Sequence, residues 1–226
     1  MDIFLSICYY GSTIEYVPVF SRQGGTFMTV PMALVDFIPN ILFLLTIITL
    51  QRDLYPKLSK GAFALFAGGG IMVFAAGTYK AIWKLLYALG VCDFEKLNQS
   101  FFPMQATGFV LMGIAAIALL CCKQKKTMAV AAAPAAFSGT MIFVAGQVFG
   151  ILALCISLCV LSGKRKNRAA GVLFIVAALL MLCMGYLSSR DFTQASMNWI
   201  AQFVNIAGQG VLLLASRSLH RSFIAE

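Results

Sequence analysis

The chain has 226 residues, 61% of them apolar and 11% charged, with a mean hydropathy of +0.89. Soluble domains run nearer half apolar and a quarter charged, so the composition points away from a water-soluble globule and toward a polytopic membrane protein with room for six spans of roughly 20 residues. The formal charge of +9, from 17 Lys and Arg against 8 acids, sits at the edges of apolar runs with no aromatic-interleaved basic face, which fits loops beside a lipid bilayer and not a nucleic-acid surface.

The expected fold is an all-α integral membrane protein, a bundle of six transmembrane helices forming one domain over 1–226. Residues 1–27 are its interfacial lead-in, 28–126 a first three-helix half and 127–226 a second. The lead-in does not read as a secretory signal, because Asp2 stands where a basic region should be and Tyr9, Tyr10 and Glu15 break its apolar run. The first span runs from about Met28 to Leu50 and contains Pro31, Asp36, Pro39 and Asn40; a charged connection with Arg52, Asp53, Lys57 and Lys60 follows. The second covers Gly61 to about Tyr79, with Lys80, Trp83, Lys84 and Tyr87 placed at the membrane interface beyond it. After the hydrophilic stretch 91–100 comes a third span, Met104–Cys122, ended by the basic run Lys123 to Lys126. The nearly uncharged stretch 127–163 is read as an Ala-rich lead-in broken at Pro134 and Gly139, then a fourth span from Met141 to Leu161. Ala169–Ser188 and Asn198–Ser216 complete the six.

An internal repeat relates the halves. Shifting by 108 brings Leu44, Leu65, Phe66 and Gly77 onto Leu152, Leu173, Phe174 and Gly185; shifting by 97 brings Gln105, Gly113 and Ala118 onto Gln202, Gly210 and Ala215. Three spans per copy, with strict alternation, would make the second copy cross in the opposite sense, an inverted repeat of the kind many secondary transporters use. In that arrangement ten bases, among them Lys80, Lys84, Lys164, Arg165, Arg217 and Arg221, share one side against seven on the other, including Arg52, Lys57 and Lys60. The expected location is the cell (plasma or inner) membrane with both termini cytoplasmic.

Two constellations could carry chemistry. Asp36 is the one acid inside a predicted span; Asn40 lies a helical turn further on, and Pro39 between them removes a backbone hydrogen bond. A carboxylate at that depth needs a proton, a partner or water. In the last span Asn198, Gln202, Asn205 and Gln209 recur in steps of four, three and four, which stacks four amides on one helix face; Gln105 and Gln147 add amides in spans three and four. Hydrocarbon cannot hydrate amides, so they must turn toward partner helices or a wet cavity.

Function follows as an expectation. A secondary transporter or channel-like carrier for a small polar or cationic solute would use Asp36, Asn40, Gln105, Gln147, Asn198, Gln202, Asn205 and Gln209 as its path, since the predicted spans contain no Lys or Arg to hold an anion. The alternative is a non-transporting subunit that packs against itself, as a homodimer, or against a membrane partner through the amide face and glycine patches. An enzyme is not expected: there is no G-x-S-x-G, no acid pair within the spans, and the lone His220 lies in the C-terminal tail. No metal or cofactor is expected either. The seven cysteines are odd in number and mostly within apolar runs, which reads as small hydrophobes and not as a disulfide framework.

Overall fold

In hydrocarbon every backbone N–H and C=O must be paired within its own segment, and a helix does this with local bonds alone. In a computed structural model that describes residues 29–121, 140–187 and 195–224, the described residues are helical apart from short turns, with no strand among them. The segments are α1 (Val30–Val35), α2 (Phe37–Leu54), α3 (Lys60–Ala88), α4 (Glu95–Cys121), α5 (Thr140–Lys164), α6 (Arg168–Leu187) and α7 (Ala195–Ile224). Among the described residues six helices are long and apolar enough to cross a membrane, with α1 and α2 counted as one. The N-terminal lead-in and the Ala-rich stretch before α5 fall outside the described residues.

Local chemistry sets the ends. Pro39 cannot donate to the Val35 carbonyl four residues back, and α1 yields to α2 at Asp36, one turn before the proline. Ser59 caps α3 by accepting from the Ala62 amide at 3.3 Å, and Asn167 caps α6 through the Ala170 amide at 3.0 Å. Two helices exceed their expected length. The second span, α3, continues unbroken through Lys80 and Lys84 to Ala88, and the third, α4, starts at Glu95, before the Met104 read from hydropathy.

The helices form a closed ring: each of α2 to α6 packs on the next, α6 on α7, and α7 on α2. Close approach comes from glycine. A Cβ at Gly69 would lie 2.5 Å from the Gly108 carbonyl oxygen, and one at Gly108 would lie 2.7 Å from that of Gly69, so α3 and α4 meet backbone to backbone. A Cβ at Gly113 would come within 3.0 Å of the Gly150 carbonyl and of Ala153, which brings α4 equally close to α5.

The directions correct the inverted repeat. Gln147 donates to Gln105 at 3.3 Å and Gly113 faces Ala153, so α4 and α5 run parallel. Near their starts Gln202 donates to the Met32 carbonyl at 2.9 Å, and near their ends His220 meets Asp53 at 2.7 Å, so α2 and α7 also run parallel. Six strictly alternating crossings would make both of these pairs antiparallel. Cys121 and Thr140 lie at opposite ends of the ring, and both three-helix sets, α2–α4 and α5–α7, run in the same sense.

The same directions redistribute the charge. Arg52, Lys57, Lys60, Lys164, Arg165, Lys166, Arg168, Arg217 and Arg221 gather at one end, with Asp53 as the acid among them. The opposite end carries Asp93, Glu95 and Lys96. Among the described residues nine of the twelve bases lie at one end, in place of the near-balance expected from alternation. Above the basic end the ring interior is a packed apolar layer, with Leu50, Phe66, Met112, Leu154, Leu158, Phe174 and Leu212 fully buried. Thr46, Ser162 and Ser216 are buried there too, each hydroxyl donating to a carbonyl one turn back in its own helix.

Candidate functional site: a central polar cavity

Between that layer and the less basic end, the ring encloses a cavity of about 350 Å³, at the small end of the range for small-molecule pockets. All six long helices contribute walls: Asn40 and Phe43 from α2, Val73 and Gly77 from α3, Phe101 and Gln105 from α4, Gln147 and Ile151 from α5, Met181 and Met184 from α6, and Asn198 to Gln209 from α7.

Each polar side chain gets there for a local reason. Asp36 stands at the break between α1 and α2, and its carboxylate forms an ion pair with Lys84. Asn40, one turn below, lies against the bare backbone of α3 at Gly77, where any Cβ would strike its side chain. The four-three-four spacing of the α7 amides turns one stripe of that helix inward. Gln202 is 5% exposed and Gln209 8% exposed. The Nε2 of Gln202 is committed to the Met32 carbonyl, which fixes the amide orientation and leaves its Oε1 buried without a partner. Gln209 Oε1 and Asn40 Nδ2 are likewise buried without one. Three unpartnered polar atoms beside one cavity mark where water or a ligand completes the hydrogen bonding, because leaving them dry costs roughly 1–3 kcal/mol each.

No protein-family model, curated protein or solved structure matches the chain. The residues themselves carry the reading. Asp36, Asn40, Gln105, Gln147, Asn198, Gln202, Asn205 and Gln209, singled out in the sequence, all line this one cavity. They come from four stretches of the chain, at the start of α2 and on α4, α5 and α7, and meet through the packing of α4 on α5 and the closure of α7 on α2.

Hydropathy misplaced other lining residues. Lys80, Trp83 and Lys84 were expected at the membrane interface, yet α3 continues past Tyr79 and carries all three into the cavity wall. The Lys80 ammonium lies 4.1 Å from the centre of the Phe101 ring, a cation–π contact. The premise for a cationic solute, that no lysine reaches the path, therefore falls. Spacing held the missed signal: Gly77, Lys80 and Lys84 fall three and four apart, on one helix face. His220, expected in a tail, lies within α7; it contacts Asp53 and Arg52 at the basic end and is remote from the cavity. Among the described residues no group of His, Cys, Asp or Glu could hold a metal ion.

Proposed function

We propose that the chain is a small secondary transporter that carries a small polar solute through the central cavity of its helical ring. The observation that carries this reading is the cavity itself, walled by every long helix and by all the inward amides, with a packed apolar layer closing it toward the basic end. A carrier needs a solute site near mid-membrane that one side reaches while the other is sealed. The amide face supports a packing role less well, because Gln202 and Gln209 are buried inside the ring and not displayed to a partner.

The two halves touch along α4 with α5 and along α7 with α2. Rocking at these parallel seams, where Gln105 meets Gln147 and Gln202 meets the Met32 carbonyl, would open the apolar layer as the cavity end closes. Such same-sense halves are related by an axis along the membrane normal, the parallel arrangement known among transporters. Loops rich in Lys and Arg stay cytoplasmic, so the basic end with the end of α7 faces the cytoplasm of a cell membrane, and the cavity, with the start of α1, faces the other side, in place of the two cytoplasmic termini expected from alternation. Asp36 is the coupling group: protonation frees Lys84 and changes the charge of the cavity by one.

The test is solute uptake into proteoliposomes with an imposed proton gradient. Asp36→Asn is expected to reduce gradient-driven uptake at least tenfold while the protein still elutes as a folded species. Uptake equal to that of the parent protein removes Asp36 from the mechanism.

A further inference from the structure

The cavity has a charge and a hydrogen-bonding polarity that narrow what it can hold. Asp36 pairs with Lys84, whereas Lys80 lies over the Phe101 and Phe102 rings near that pair, with no carboxylate within ion-pair range of its own among the described residues. The formal charges of the described lining residues Asp36, Lys80 and Lys84 thus sum to +1. Lys80 stands three residues, nearly one turn, from Gly77, and Gly77 abuts Asn40. Interpolating between the Gln202–Met32 and His220–Asp53 contacts puts Gln209 level with Asn40. The Lys80, Asn40 and Gln209 backbone positions therefore fall within about one helical turn, roughly 5 Å of height. The apolar walls of the cavity include Phe43, Phe101, Phe102, Phe109, Trp83 and Met181.

From this juxtaposition we infer that the cavity binds a small hydroxycarboxylate with an apolar or aromatic body. Its carboxylate lies on the Lys80 ammonium, its hydroxyl donates to Gln209 Oε1, and its body packs between the aromatic rings. A lone cation is repelled by the net charge. A plain carboxylate leaves the Gln209 oxygen unpartnered, and a neutral alcohol leaves Lys80 without a counter-ion. The inference deepens the carrier reading by naming its solute class, but binding and transport can be separated.

Four matched probes isolate each element in calorimetric titrations of the purified full-length protein in detergent. Mandelate has both groups, phenylacetate lacks the hydroxyl, 2-phenylethanol lacks the carboxylate, and phenethylamine carries the opposite charge. Mandelate is expected to bind tightest, about fivefold to tenfold tighter than phenylacetate, as one added hydrogen bond to a buried acceptor implies. Lys80→Gln is expected to weaken mandelate at least tenfold, and Lys80→Arg to retain it, which separates loss of charge from misfolding. Gln209→Leu is expected to abolish the preference of mandelate over phenylacetate by weakening mandelate, with phenylacetate bound no more weakly than before. Phenethylamine binding as tightly as mandelate, Lys80→Gln leaving mandelate affinity intact, or no binding by any of the four overturns the assignment. Mandelate binding without uptake into proteoliposomes keeps this assignment and removes the carrier; uptake of a cation with no mandelate binding does the reverse.

Discussion

Individual side chains at the basic end hold the helix ends together. The Asp53 carboxylate, 5% exposed, accepts from His220 Nδ1 at 2.7 Å, while its second oxygen is buried and unpartnered. His220→Ala is expected to strip that bond from a buried acid and to destabilise the fold by roughly 1.5–3 kcal/mol, read as a lower melting temperature in detergent; Asp53→Asn should cost less in the His220→Ala background than alone. Lys57 donates to the Asp53 backbone carbonyl at 2.8 Å and lies over the Phe223 ring. Partial burial, helped by the nearby Arg165 and opposed by Asp53, lowers its pKa below the ordinary 10.5. Between that lowered folded value and 10.5 the unfolded chain binds more protons, so stability rises with pH across this alkaline window. Lys57→Gln is expected to flatten that rise, which melting curves at a series of alkaline pH values would reveal.

Helices meet where the sequence supplies no side chain. At Gly69 a methyl group would run into the backbone of α4, whereas at Gly68, its neighbour, a Cβ meets nothing within 4 Å. Gly69→Ala is expected to push α3 from α4 and lower thermal stability. Gly68→Ala should be neutral or stabilising by about 0.5–1 kcal/mol, since alanine is the better helix former. Equal effects of the two substitutions on melting would overturn the close-approach account. The element scale is also where hydropathy misled most. A window average ends the second span near Tyr79 because Lys80 and Lys84 lower it, yet backbone hydrogen bonding carries α3 on, since a lysine that faces a cavity with Asp36 in it is not facing lipid.

For the whole molecule the decisive property is the direction of each helix. With α4 parallel to α5 and α2 parallel to α7, single cysteines placed at Lys57 and at Lys166 in a cysteine-free background are expected to label from the same, cytoplasmic side. An inverted repeat would put them on opposite sides. The repeat positions themselves occupy matching places. Phe66 and Phe174 are both fully buried in the apolar layer, Gly77 and Gly185 both line the cavity, and Gln105 and Gln202 both sit at a seam between halves.

Composition and hydrophobic period alone determine a helical chain with six membrane-length spans, because dehydrated backbone admits little else and the spans are long enough to register. They also single out Asp36, Asn40 and the six amides, since polar groups in apolar runs at helical spacing must share an inward face. What the tertiary structure alone decides is which ends of which helices coincide. Period and hydropathy are the same for a helix read up or down, so neither distinguishes parallel from antiparallel neighbours; only contacts between distant residues, such as Gln202 with Met32 and His220 with Asp53, carry that information. The placement of Lys80 and Lys84 depends on it too, because a lysine near a helix end is interfacial or enclosed according to what the neighbouring helices put beside it.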